Sequence, residues 1–190
     1  MFRDLVLKNR SYRRFHEDVA LDEETLRELV DLARNTASGA ILQPLKYALS
    51  WTPERNAQVF PCTIWAGYLP DWPGPDEGER PAGYVVILGD REICKGFGCD
   101  QGIAAQTILL GATERGLGGV MFGSLRREEL LKVFGLSGER YEILLVIALG
   151  KPKEIVVLDP VDASGGIEYW REENGTHHVP KRALDDIIVS

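Results

Sequence analysis

At 190 residues, with 44% hydrophobic and 27% charged positions, the chain has the size and balance of one globular domain with a substantial core. A formal net charge of −7 argues against a nucleic-acid-binding role, which needs a basic face. No stretch approaches the ~20 apolar residues of a membrane span, so no membrane partner is expected.

Residues 1–10 are charged and lack the apolar core of a signal segment, so a cytoplasmic protein is expected. The three cysteines, Cys62, Cys94 and Cys99, are odd in number and scattered, as suits reduced thiols. No histidine lies near them, so neither a metal site nor a cysteine nucleophile with a base is expected.

Met1 to Lys8 reads as a short helix presenting Phe2, Leu5 and Val6 on one side. A turn over Arg10 to Phe15 leads to a second helix. Asp22 is its expected N-cap, and Leu26, Leu29, Val30 and Ala33 recur at helical spacing. A loop from Ser38 to Pro44 enters a strand, Tyr47 to Trp51, which Pro53 stops. Asn56 to Tyr68 is expected to be helical, broken or kinked at Pro61. Leu69 to Pro81, with four prolines, reads as an exposed loop.

Tyr84 to Leu88 is an unbroken apolar run and predicts a buried strand. Asp100 to Arg115 predicts a long apolar helix with small residues for close packing, closed by Gly116. Val120 to Phe122 predicts a strand, Arg126 to Phe134 a helix, Tyr141 to Leu149 a buried strand and Ile155 to Leu158 an edge strand. Asp162 to Val179 shows no period and reads as an extended arm suited to wrapping a partner. An apolar pattern resumes over Lys181 to Val189. The glycines at 116–119 close a helix instead of opening one after a strand, so they are not a dinucleotide fingerprint, and no Walker loop is present. The expected class is α+β in a single domain spanning 1–190.

The most informative stretch is Arg10-Ser11-Tyr12-Arg13-Arg14-Phe15. Three arginines and a hydroxyl fall within five residues, just before an amphipathic helix. Guanidinium forks match phosphate oxygens, and an acidic chain has no need of a local positive cluster for solubility. The plain alternative is a solvated basic patch.

Four motifs in order resemble the flavin-dependent nitroreductase family. They are the Arg10–Phe15 segment; the loop Ser38-Gly39-Ala40-Ile41-Leu42-Gln43-Pro44; the helix from Asp100 to Gly116-Leu117-Gly118; and Lys181-Arg182 before an apolar end. The resemblance implies a mostly antiparallel sheet packed between helices. It implies an FMN-binding homodimer, with a C-terminal segment, from about 155 to 190, exchanged between subunits. Each of two FMN sites would be built from both chains.

Under that resemblance Arg10, Ser11 and Arg13 contact the phosphate, and Lys181 or Arg182 closes the clamp. Ser38, Gly39, Gln43 and the segment Met121-Phe122-Gly123 lie on the ring side, where Met121 and Phe122 supply apolar cover or pack in the core. Two departures stand out. Ile41 occupies a position that often holds Asn, and Asn9 one that often holds a basic residue.

The reaction implied is ping-pong. NADH or NADPH reduces the flavin, and a nitroaromatic or quinone-like acceptor then takes the electrons. No catalytic side chain is expected, because the cofactor carries the chemistry and no Ser-His-Asp or Cys-His set is visible. His177-His178 reads as an exposed pair. The loop from Trp65 to Arg80 is expected to wall the acceptor site with Trp65, Tyr68 and Trp72. The remaining alternatives are dehalogenating or flavin-fragmenting chemistry on the same scaffold, a non-catalytic flavin-binding or sensory dimer, and a structural dimer without cofactor.

Overall fold

The computed structural model describes residues 1–69, 71–162 and 164–189; Pro70 of the proline-rich loop, Ala163 of the arm and Ser190 lie outside the described residues. The chain opens with helix α1 (Phe2–Lys8) and a two-residue strand β1 (Phe15–His16). Helix α2 (Glu23–Arg34) starts where Asp22 accepts the Thr25 N–H at 2.8 Å, with two acids in the first turn to suit the helix dipole. It buries Leu26, Leu29 and Ala33.

Strand β2 (Leu45–Ser50) runs into helix α3 (Pro53–Val59). Pro53 thus does more than stop a strand. It begins a helix capped by the Thr52 hydroxyl, a position where the missing N–H has no intrahelical partner to lose. The expected helix over Asn56 to Tyr68 is cut short. Pro61 cannot donate into an α ladder, the backbone tightens into one 3-10 turn over Phe60–Cys62, and Thr63 is extended.

Strand β3 (Gly83–Asp90) is buried along its whole length. Helix α4 (Asp100–Glu114), strand β4 (Gly118–Phe122), helix α5 (Arg127–Phe134) and the long strand β5 (Tyr141–Pro152) follow. The sheet runs β1-β5-β3-β2, with β4 also on β5, and every pairing is antiparallel.

The apolar run of β3 is read on both faces. Val85 and Ile87 pack under α2 and α4 with Leu26, Leu29, Ile108 and Ala112. Tyr84, Val86 and Leu88 pack on the other side with Val59 of α3 and Leu130 of α5. The architecture is therefore α+β, an antiparallel sheet between helices.

Two glycines place the N-terminal motif. Gly116, at φ +74°, ends α4 while the Leu117 N–H returns to the Ala112 carbonyl at 2.9 Å. Gly118 lies under the Tyr12 ring and against Pro152, where a Cβ has no room. Ser11 then bridges Gly119, and the Tyr12 N–H donates to the Gly119 carbonyl at 3.0 Å. The start of the arginine motif thus lies against β4, and its end, Phe15, pairs with β5.

The arm is not structureless. Strands β6 (Val156–Pro160), β7 (Trp170–Arg171) and β8 (His177–Lys181) form a second sheet on the same chain, with β8 parallel to β6 and antiparallel to β7. β6 is the edge strand expected over Ile155 to Leu158, whereas β7 and β8 carry too few residues to show a period. Beyond Arg182 the chain makes one 3-10 turn (Leu184–Asp186) and exposes Leu184, Ile187, Ile188 and Val189. Among the described residues no helix is long and apolar enough to cross a membrane.

Candidate functional site

A cavity of about 390 Å³ opens where the two chain ends meet. Arg10, Ser11 and Arg13 line it from the segment beside β4, Met121 from β4, Gln106 and Leu109 from α4, and Val156, Val179 and Lys181 from the second sheet. Four residues singled out as phosphate contacts, Arg10, Ser11, Arg13 and Lys181, therefore share one cavity. Three cations and a hydroxyl around an apolar floor have the chemistry to hold an anion. Arg10 donates through Nη2 to the Val6 carbonyl at 2.6 Å, while its Nε is buried with no hydrogen-bond partner.

Arg13 is held from three sides. Its guanidinium lies over the Tyr169 ring, 4.6 Å from the centroid, and Nη1 stands 3.1 Å from Nε2 of His177. Its backbone N–H donates to the Glu154 carboxylate, which is itself buried and receives Arg171 at 3.3 Å. Burial lowers the basicity of Arg13, while Tyr169 and Glu154 act in the opposite sense. Burial also raises the Glu154 pKa.

His177 is fully buried and its pKa falls to about 4, first through burial and then through the nearby positive charge of Arg13 and Arg171. His178 stacks on Trp170 at 4.0 Å and lies 2.6 Å from Asp159 and 3.2 Å from Glu172. The histidine pair is thus inside the second sheet, not exposed on an arm.

The loop after α2 forms a second, smaller cavity of about 170 Å³ with Ser38, Gln43, Tyr47 and Asp100. The Asp100 carboxylate accepts the Ser38 hydroxyl at 2.6 Å and the Gly39 N–H at 2.9 Å. Ser38 Oγ in turn accepts the Gln43 N–H at 2.9 Å. Within this loop Ala40, Ile41 and Gln43 have φ of +50°, +59° and +50°. Left-handed backbone costs roughly 1–2 kcal/mol for each such residue and is rarest for a β-branched one. Strain of this kind concentrates at functional segments.

The two cavities share no lining residue. Asp100 borders one and Leu109 the other. Nine residues along a helix are about two and a half turns, which puts Asp100 and Leu109 on opposite faces of α4.

Other expected site residues are placed elsewhere. Phe122 faces the core and meets Trp65 edge-on at 4.7 Å, because alternate residues of β4 point to opposite faces and only Met121 points to the basic cavity. Gly123 is exposed and its carbonyl accepts Arg127 at 2.9 Å. Arg182 is exposed beyond β8 and does not line the cavity.

The aromatic loop residues pack on one another and on the second sheet, with Tyr68 half exposed. Trp65 is buried, Trp72 packs on Trp65 at 6.0 Å under Arg171, and Tyr68 leans on Tyr169 at 5.0 Å. None lines either cavity. Conversely, Gln106, Tyr169, Glu154 and His177 were not expected at the site, and Asp100 was noted only as the start of a helix motif. Only their position after folding brings them to the site.

A family model described as the nitroreductase family matches residues 96–151, from just before α4 nearly to the end of β5. No curated protein matches the chain in sequence. Solved structures match over much more of it. A protein described as a nitroreductase in complex with FMN, from Desulfovibrio desulfuricans, is 21% identical, with a TM-score of 0.72 over 100% of this chain and 95% of that one. A protein described as an NAD(P)H:FMN oxidoreductase, from Staphylococcus epidermidis, is 15% identical, with a TM-score of 0.71 over the same shares. An enone reductase of gut-bacterial fatty acid saturation is 18% identical, with a TM-score of 0.67 over 80% of this chain and 89% of that one. The chain has the fold of these proteins.

Proposed function

We propose that the protein is an FMN-dependent oxidoreductase that oxidises NADH or NADPH and reduces a flat acceptor of the nitroaromatic or quinone class in a ping-pong cycle. One observation carries the reading: Arg10, Ser11 and Arg13 from one end of the chain meet Lys181 from the other around a single cavity. The family match over 96–151 and the likeness to FMN-bound structures support it.

FMN fits the residues present. Its phosphate is matched by three cations, and the unpartnered Nε of Arg10 is a donor in want of an acceptor. When bound, FMN supplies hydride acceptance and donation at its ring. The protein's own residues bind and orient: Arg10, Arg13 and Lys181 hold the phosphate, while Leu109, Met121, Val156 and Val179 keep water from its apolar neighbours.

Ser38, Gly39 and Gln43 belong to the ring edge in this reading. Ser38 and Gln43 border a cavity separate from the basic one of the same chain, as suits a site shared between two chains. In this reading the protein is a homodimer, and the exposed apolar end, Leu184, Ile187, Ile188 and Val189, belongs to the segment that crosses to the partner.

The test is the visible absorption spectrum of the purified protein, with identification of the released chromophore. A yellow protein releasing FMN at about one per chain supports the reading. A colourless protein that takes up no added FMN overturns it.

A further inference from the structure

We infer that Asp100 is a positioning residue of the flavin site: through Ser38 and Gly39 it locks the 38–43 loop into the shape that meets the flavin ring edge, and so sets cofactor affinity and potential. This inference rests on the FMN reading above.

Asp100 is the first residue of α4 and only 5% exposed. A buried carboxylate normally has a cation beside it, since burial without one is costly. Among the described residues Asp100 makes no ion pair; its two oxygens are taken by the Ser38 hydroxyl and the Gly39 N–H. Such an arrangement costs stability, so its presence points to what it holds in place.

What it holds is a short relay. Asp100 receives from Ser38, Ser38 Oγ receives from the Gln43 N–H, and the Gln43 side chain returns to the Ile41 carbonyl at 3.3 Å. Ala40, Ile41 and Gln43 would otherwise leave the left-handed region. Packing does not retain them there: Ile41 is 80% exposed and Leu42 48%. Hydrogen bonds are the restraint: the Ile41 and Leu42 N–H groups return to the Ser38 and Gly39 carbonyls at 3.0 and 3.1 Å, and Asp100 anchors Ser38 and Gly39 themselves to α4. Tyr47 borders the same cavity, and burial together with the Asp100 charge raises its pKa, so the phenol stays a neutral donor there.

The experiment compares wild type with Asp100→Ala, Asp100→Asn, Ser38→Ala and the Asp100→Ala/Ser38→Ala double variant. Each is titrated with FMN, its bound flavin potential is measured, and amide exchange is followed in the FMN-free protein. Asp100→Ala should weaken FMN binding by about tenfold or more and shift the potential. Asp100→Asn, which keeps one acceptor, should fall between it and wild type.

Ser38→Ala should act in the same direction, and the double variant should be no weaker than Asp100→Ala alone, because both break one relay. Exchange at Gly39 and Gln43 should rise without flavin present. If Asp100→Ala does not fold, Ser38→Ala carries the test. Wild-type affinity and potential in both single variants overturn the assignment of Asp100. A wild-type protein that takes up no FMN overturns instead the reading on which it rests.

Discussion

Arg13 of the N-terminal motif and His177 of the last strand stand 3.1 Å apart, Nη1 to Nε2, across 164 residues of sequence. Arginine can only donate, so Nε2 accepts and the imidazole proton sits on Nδ1. Nδ1 is buried and has no partner of its own. The histidine is therefore a neutral acceptor fixed by its environment, and it aims the guanidinium that lines the basic cavity.

That pairing has a pH signature. The folded pKa of His177 is about 4, against 6.5 when unperturbed. Between those values the unfolded chain binds a proton that the folded chain refuses. The stability contribution is complete above pH 6.5 and is lost as the pH falls toward 4. Urea midpoints should drop over this range in wild type, and His177→Gln should flatten the drop. Parallel profiles for the two proteins would rule out the buried His177 as the cause.

Lys181 and Arg182 are neighbours in sequence with unequal roles. Only Lys181 lines the basic cavity. Lys181→Ala should weaken FMN binding by about tenfold, the worth of one hydrogen bond to a charged group, while Arg182→Ala should leave it near wild type. Equal losses in a fluorescence titration would contradict this division.

Phe122 should behave as a core residue. It is 5% exposed and packed edge-on against Trp65. Phe122→Ala should cost about 3–5 kcal/mol in urea unfolding through the cavity it leaves. Met121→Ala, at a half-buried position, should cost less stability and more FMN affinity. The reverse ranking would return Phe122 to the site.

The exposed apolar end gives a direct test of assembly. Leu184, Ile187, Ile188 and Val189 have no cover within the chain. Truncation after Ala183 should convert a dimer into a monomer by light scattering, with loss of bound FMN. A truncated protein that stays dimeric would place the interface elsewhere.

Much of the frame was legible before folding. Helix α2 declared itself through its Asp22 cap and its apolar spacing, β3 through an unbroken apolar run, and α4 through small residues closed by Gly116. These are local signals, and the structure keeps them. Helix α3 was misread because Pro53 serves equally as a strand stop and a helix start, and only the Thr52 cap decides between them. Of the second sheet only β6 was legible, as an edge strand over Ile155 to Leu158; β7 and β8 were missed because such short strands have no periodic face to display.

The candidate site divides in the same way. While the basic position near 181 was expected only from the family resemblance, residue chemistry by itself singled out Arg10, Ser11 and Arg13 as candidate anion ligands, because guanidinium and hydroxyl groups suit phosphate oxygens. It also determined the α+β class, through periodicity that any packing must respect. Only the tertiary structure decided which of two adjacent residues enters the cavity, Met121 over Phe122 and Lys181 over Arg182. It alone buried His177 against Arg13, set Asp100 against the 38–43 loop, and opened two separate cavities that α4 borders. Those outcomes depend on strand register and helix rotation, which arise from contacts between residues far apart in the chain.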